Sequence, residues 1–178
     1  MKILQELNSE CRIQGLSYVL IGGHAIVARG YGRTTRDLDL AVPESLRQRW
    51  KDFFLRMGYT VYHEQSGFIQ FTAPDLGEWP VDLMIVDGAT FSRLEAEATP
   101  IRLGDGTAPV ASVTHLILMK LHSLKTGHPD RFAKDLADLL ELLRLRGLEV
   151  GSAEFLGMCE KYADGEIHER IIGFLKKR

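Results

Sequence analysis

Tyr18–Pro43 reads YVLIGGHAIVARGYGRTTRDLDLAVP. An apolar run ends on Gly22-Gly23. A short Ala/Ile/Val-rich segment follows over His24–Arg29, Gly30 and Gly32 break it, and a second apolar run opens with Asp37-Leu38-Asp39 and stops at Pro43. The pattern predicts a strand, a Gly-Gly turn, a short helix, a loop and a second strand. Gly22 and Gly23 offer bare backbone N–H groups at a helix start, where a phosphate can sit. Asp37 and Asp39, two apart on a strand, point to the same side of a sheet. A phosphate cradle followed by paired carboxylates is a layout able to hold a nucleoside triphosphate and its Mg²⁺.

The flanking sequence extends this into an α+β order. Ile3, Leu4, Leu7 and Cys11 recur at helical spacing over residues 2–14. Leu16–Gly22 is almost continuously apolar, as in a central strand covered on both faces. After the strand Leu38–Val42, a helix is expected over Glu44–Met57 with Ser45 near its start. Tyr59–Glu64 and Phe68–Thr72 alternate around Gln65-Ser66-Gly67 like a hairpin. Pro80 introduces the buried strand Val81–Val86, where a first-position proline need not donate to the ladder. Ile101–Val110 reads as a small hairpin around Gly104-Asp105-Gly106.

From Thr114 the period turns helical. Val113, Ile117, Leu121 and Leu124 form one stripe; Phe132, Leu136, Leu139, Leu140 and Leu143 form another. Two more helices are expected over Ala153–Tyr162 and Glu166–Lys176. Mixed elements first and helices last predict an α+β core over residues 1–112, with a helical C-terminal part over 113–178 packed on it.

With 178 residues, 45% hydrophobic and 26% charged, the composition is that of an ordinary folded domain. The net charge of −2 excludes a global basic footprint, so an RNA partner would have to use a local patch. Cys11 and Cys159 have no metal-ligand spacing and read as thiols of a cytosolic protein rather than as a disulfide. The opening MKILQELNSE lacks the apolar core and cleavage site of a signal peptide. No apolar run approaches the ~18 residues of a membrane span. The expected location is the cytoplasm, with no membrane partner.

Nucleotidyl transfer needs an attacking hydroxyl, a leaving pyrophosphate and neutralised charge at both ends. Two Mg²⁺ about 3.5–4 Å apart, bridged by carboxylates, meet that need. Mg²⁺ takes hard oxygen ligands. Asp37 and Asp39 supply two; Asp82, an acid inside an apolar strand where an unpaired charge would be costly, is the third candidate. It is also assigned as the base for the incoming hydroxyl. A bare Asp-x-Asp is often only a turn or helix cap, and Asp82 alone could face water at a sheet edge. The combination of a strand and Gly-Gly, then Asp-x-Asp after thirteen residues, then a strand-borne third acid is the specific signal.

Arg29, Arg33 and Arg36 lie close by, and a guanidinium matches phosphate oxygens two at a time. Arg33 is the first choice, Arg36 reads as a solvated loop charge, and Thr35 either braces the loop or is an ordinary loop residue. Lys120 falls within the apolar arc of Val113, Leu116, Ile117 and Leu124, so it must snorkel to water or meet an anion. Arg131/Asp135 and Lys134/Asp138 are i,i+4 pairs, in the simplest reading surface ion pairs worth about 0.3–0.5 kcal/mol each. His24, His63, His115, His122, His128 and His168 form no metal-ligand spacing. His24 either approaches a phosphate or lies on the surface at a helix start. Tyr31, Phe68 and Trp79 could stack on a base or serve as core and rim.

Residues 18–42 resemble the signature of the DNA polymerase β nucleotidyltransferase superfamily: an apolar strand, Gly-Gly or Gly-Ser, a spacer, Asp-x-Asp/Glu on a strand, and a third acid on a later strand. More closely, Gly22-Gly23-His24-Ala25 followed by Gly32-Arg33-x-Thr35-x-Asp37-Leu38-Asp39-Leu40 is similar to the minimal bacterial branch that includes the AbiEii/MenA-type toxins of type IV toxin–antitoxin systems. The match covers the first half of the chain well and the helical remainder loosely. It implies the nucleotidyltransferase fold, a mixed β-sheet flanked by helices. It implies Gly22, Gly23 and Arg33 on the phosphate side and Asp37, Asp39 and Asp82 as Mg²⁺ ligands. Lys120, in a Met-Lys-Leu context, and Lys134 with Asp135 then become further nucleotide-side candidates. The Gly-Gly form lacks the hydroxyl of Gly-Ser, and the basic cluster around Lys134 is sparser than the toxins' arginine-rich pattern.

The resemblance implies transfer of an NMP from a nucleoside triphosphate to a hydroxyl, with a tRNA 3′ end as a possible acceptor and a cognate antitoxin as a possible partner. Two other readings stand beside it. One is a catalytically silent nucleotide- or partner-binding module, which a complete acid set disfavours. The other is a small-molecule, antibiotic-type nucleotidyltransferase, for which so short a chain would gain an acceptor pocket by dimerising.

Overall fold

The computed structural model describes residues 2–127 and 129–175, so His128 and the expected helix end at Lys176 lie outside the described residues. Two compact units emerge among them: residues 2–28 with 32–112, and residues 29–31 with 113–175.

In the first unit the chain runs α1 (Lys2–Gln14), β1 (Val19–Leu20), α2 (Gly22–Ala28), β2 (Leu38–Pro43), α3 (Arg47–Arg56), β3 (Thr60–Gln65), β4 (Phe68–Thr72), β5 (Val81–Val86), α4 (Gly88–Glu97), β6 (Thr99–Leu103) and β7 (Gly106–Val110). The strands form one seven-stranded mixed sheet in the order β3-β4-β5-β2-β1-β7-β6. β2 pairs parallel with β5 and antiparallel with β1, and β1 pairs parallel with β7.

Alternation along the strands separates two faces. Leu38 and Leu40 of β2, Val81 and Leu83 of β5, and Ile69 and Phe71 of β4 are buried on one side. There Phe54 of α3 meets Phe71 with ring centroids 5.1 Å apart and Tyr59 at 5.4 Å, while Trp50 and Phe53 complete the cluster. Trp50 is wholly buried, and its indole N–H donates to the Ser17 carbonyl at 3.1 Å. The other face carries Asp39, Asp82 and Gln70 in half-buried positions.

Several expected boundaries move. The strand expected over Leu16–Gly22 shortens to Val19–Leu20, because Gly22 takes φ +61° and opens α2. The glycine pair is thus the first turn of the helix rather than a turn ahead of it. Asp37 stands one residue before β2 rather than on it. The helix expected from Glu44 begins as a 3₁₀ turn over Glu44–Leu46, with no side-chain cap, and Ser45 falls inside that turn. Helix α4 is an addition to the expected elements. Its start is fixed by Asp87, whose carboxylate accepts from the Thr90 N–H at 2.9 Å, and it buries Phe91 and Leu94.

The second unit holds α5 (Val113–Thr126), α6 (Phe132–Arg146), α7 (Ala153–Tyr162) and α8 (Gly165–Leu175). α5 and α6 pack against each other; Leu116, Ile117, Leu121 and Leu124 of the one and Leu136, Leu139, Leu142 and Leu143 of the other are buried. Leu142 takes the buried place expected for Leu140, which is half-buried. Among the described residues no helix is long and apolar enough to cross a membrane.

Phe54 is 0% exposed and touches four other aromatic rings. Phe54→Ala is expected to cost about 3–5 kcal/mol, read from the urea midpoint. A loss below about 1 kcal/mol, the ordinary size for a point substitution, would show that this cluster is not what secures the sheet.

Candidate active site

The parallel register of β2 and β5 sets Asp39 directly opposite Asp82. Asp37 enters from the loop just before β2. One carboxylate oxygen from each of the three lies within 4.8 Å of the others, and all three side chains are half-buried. This convergence is the arrangement expected from the sequence.

Each carboxylate accepts a hydrogen bond from a different part of the unit. Thr35 Oγ1 donates to Asp37 Oδ1 at 3.1 Å. The Gly23 backbone N–H donates to Asp39 Oδ2 at 3.3 Å. Gln70 Nε2 donates to Asp82 Oδ2 at 2.9 Å. Thr35 is therefore more than a loop residue: it orients an acid. Such bonds lower the cost of gathering like charges, because hydrogen bonds to the ionised form favour it.

The glycines have a specific steric reason. A Cβ on Gly22 would collide with the Asp39 carboxylate, and Gly22 also lies in the left-handed region at φ +61°. A Cβ on Gly23 would strike the Thr35 hydroxyl and stand 2.8 Å from Arg33 Nη2. The Gly-Gly pair thus lets Asp39, Thr35 and the Arg33 guanidinium close onto the start of α2. Arg33, the sequence's first choice for a phosphate contact, also donates through Nη1 to the Thr34 carbonyl at 3.1 Å.

His24 is not at the surface. It is 8% exposed and stacks on Trp79, with ring centroids 4.0 Å apart and planes 32° from parallel. Burial lowers its pKa, the Asp37 charge opposes that and Arg33 reinforces it, so the ring is neutral near pH 7. Trp79 is therefore already stacked within the fold.

Two residues near the acids were not singled out by the sequence. Gln70 is one. Tyr62 is the other: it sits at a bulge, where the β3–β4 register shifts between Val61 and His63. Tyr62 is 63% exposed, and its hydroxyl pKa is raised by partial burial and by the Asp82 and Asp37 charges. Strand alternation places Gln70 on the polar side of β4, but the pairing that brings it to Asp82 is long-range and invisible in a single chain.

In the second unit, Lys120 meets anions rather than snorkelling. Its Nζ lies 2.6 Å from Asp135 Oδ1 and 2.7 Å from Asp138 Oδ2. Ser123 Oγ donates to Asp135 Oδ2 at 2.7 Å. Asp135 and Asp138 are each 1% exposed, which corrects the expectation that they form surface pairs with Arg131 and Lys134. Lys134 is exposed on α6. Burial alone would raise the Asp135 pKa; the Lys120 hydrogen bond and charge, with Ser123 and Arg131, outweigh it and hold the carboxyl below its ordinary value.

No protein-family profile matches the chain, and no curated protein matches it. Solved structures do. The antibiotic-resistance factor ANT(2'')-Ia is similar over 99% of this chain and 91% of its own, at TM-score 0.61 and 16% identity. The lincosamide antibiotic adenylyltransferase LnuA is similar over 79% of this chain and 96% of its own, at TM-score 0.56 and 16% identity. An antigenic nucleotidyltransferase-like protein from Paracoccidioides brasiliensis is similar over 81% and 75%, at TM-score 0.55 and 15% identity. At such identities the likeness establishes the fold: the chain adopts the α+β nucleotidyltransferase fold.

Two substitutions probe these clusters. Gly22→Ala forces a left-handed alanine against Asp39; the backbone strain alone is worth about 1–3 kcal/mol. Thermal denaturation should show at least that loss. Lys120→Met leaves two buried carboxylates without their shared cation and is expected to cost about 3–5 kcal/mol. The Asp135 pKa is depressed on folding, so its stabilisation is full above the ordinary Asp value, about 3.9, and is lost as pH falls below it. Helix melting followed from neutral pH downward should show that acid-side loss in the wild type and not in Lys120→Met.

Proposed function

We propose that this chain is a divalent-metal-dependent nucleotidyltransferase that moves an NMP from a nucleoside triphosphate to a hydroxyl acceptor. The reading rests on one observation: Asp37, Asp39 and Asp82 converge within 4.8 Å on one face of a sheet of this fold. Three hard carboxylates suit Mg²⁺, and they carry no thiol or imidazole that would favour a softer ion. Mg²⁺ would be held by these three residues and, when bound, would neutralise charge on the attacking and leaving oxygens.

In this mechanism the acceptor oxygen forms a bond to the α-phosphorus. The bond from that phosphorus to the oxygen bridging it to the β-phosphate breaks, and pyrophosphate leaves. Asp82 takes the hydroxyl proton. Arg33, lying over Gly23, answers the charge of the phosphates with a planar pair of donors. Gly22 and Gly23 let the phosphate side of the site approach the start of α2. The toxin resemblance also implies a nucleotide-side role for Lys120, Lys134 and Asp135; of these, Lys134 is exposed, while Lys120 and Asp135 are engaged with each other inside the second unit.

That resemblance makes a tRNA 3′ end the first acceptor to try, and a cognate antitoxin the partner protein to seek. A small-molecule acceptor is the second reading. It is favoured by the nearly full-length likeness to ANT(2'')-Ia, a protein solved with adenylyl-2''-tobramycin. The net charge of −2 also gives no general attraction for a polyanion.

Purified protein is to be incubated with each labelled NTP, Mg²⁺ and either total tRNA or a panel of hydroxyl-bearing antibiotics. Label transfer by the wild type and background labelling by Asp39→Ala are expected, and the arm that labels identifies the acceptor class. Nucleotide binding by calorimetry without transfer to any pool would favour the silent binding module instead.

A further inference from the structure

We infer that Gln70 is a positioning residue that holds Asp82 in the orientation in which the three acids converge. The inference rests on reading Asp37, Asp39 and Asp82 as a divalent-metal site, and it concerns a residue on a different strand from any of them.

Asp82 sits between two cross-strand neighbours. On the β2 side its direct partner is Asp39; on the β4 side it is Gln70. Like charges directly opposite each other on adjacent strands repel. With Asp39 as a neighbour, the rotamers that carry the Asp82 carboxylate away from the cluster are favoured. The Gln70 amide acts from the other side, 2.9 Å from Asp82 Oδ2, and selects one orientation. An ionised carboxylate only accepts, so Gln70 must present its NH₂ group to it. In the orientation so held, an oxygen of Asp82 is within 4.8 Å of those of Asp37 and Asp39.

The residue type suits the task. A lysine or arginine at position 70 would also donate to Asp82, but its charge would cancel the carboxylate that must attract a cation. Glutamine orients without neutralising. Its backbone is set by the antiparallel pairing of β4 between β3 and β5. Donors of this kind, one step removed from a metal, typically contribute 10–100-fold in metal affinity.

Mn²⁺ alone, followed by its EPR signal on the full chain without nucleotide, is the probe. Gln70→Met keeps length and apolar packing but removes the donor; Gln70→Ala is a second variant that cannot overpack. Asp82→Asn is the control. We expect Gln70→Met and Gln70→Ala to bind Mn²⁺ about 10–100-fold more weakly than wild type, with the urea midpoint little changed, and Asp82→Asn to lose more. Wild-type Mn²⁺ affinity in both Gln70 variants, with Asp82→Asn impaired, would overturn the role of Gln70 and leave the metal reading standing. Wild-type protein that does not bind Mn²⁺ would overturn the metal reading and this inference with it.

Discussion

Two carboxylates face each other across adjacent parallel strands, and the arrangement of the first unit follows from keeping them there. Asp39 and Asp82 share a register position in the interior of the sheet. Left to themselves they would repel, and a half-buried position weakens the screening that water would provide. The fold answers with donors drawn from three different places: a backbone N–H at the start of α2, a loop hydroxyl and a side-chain amide from β4. None of the three brings a positive charge. Behind the cluster, the aromatic group on α3 holds β2, β4 and β5 as one plate, so the acids are carried by the most deeply packed strands.

Much of this could be read from residue order alone, and the reasons differ by element. Strand β4 alternates with period 2, and β2 and β5 are apolar runs bounded by Pro43 and Pro80, so the existence of all three is local information. Gly22-Gly23 followed by Asp37 and Asp39 is also local. The convergence of Asp82 needed one guess, that its strand lies beside β2, and a buried acid in an apolar run supplied the motive for it. The partners of the acids were harder. Gln70 reaches Asp82 only through the β4–β5 pairing, and Tyr62 feels the Asp82 and Asp37 charges only across strand pairings that a single chain does not show. For His24 the sequence left a phosphate contact and a surface place both open, because its cover, Trp79, is more than fifty positions away. Helix α4 carries only the modest apolar pair Phe91 and Leu94, and its clearest mark is the Asp87–Thr90 cap.

The helical unit shows how charge spacing can mislead. Arg131/Asp135 and Lys134/Asp138 have the i,i+4 separation of exposed pairs, yet both aspartates turn inward to Lys120 on the neighbouring helix. A lysine with two carboxylates inside a leucine-lined helix pair leaves little freedom for α5 and α6 to slide past one another. A shift of one residue along either helix would strand a charge in apolar surroundings, whereas leucines alone would tolerate it. The cluster thus fixes the register of a helix pair whose apolar faces are otherwise interchangeable.

The two ends of the sheet share a further property. At one edge, β3 is interrupted by the bulge at Tyr62; at the other, β6 contains Pro100, opposite Pro109 of β7. A bulge twists an edge away from a flat template, and a proline withholds the N–H that an incoming strand would need. Both open borders are therefore poor seeds for cross-molecular strand pairing. Irregularity at each border thus guards the chain against polymerising through its β-sheet.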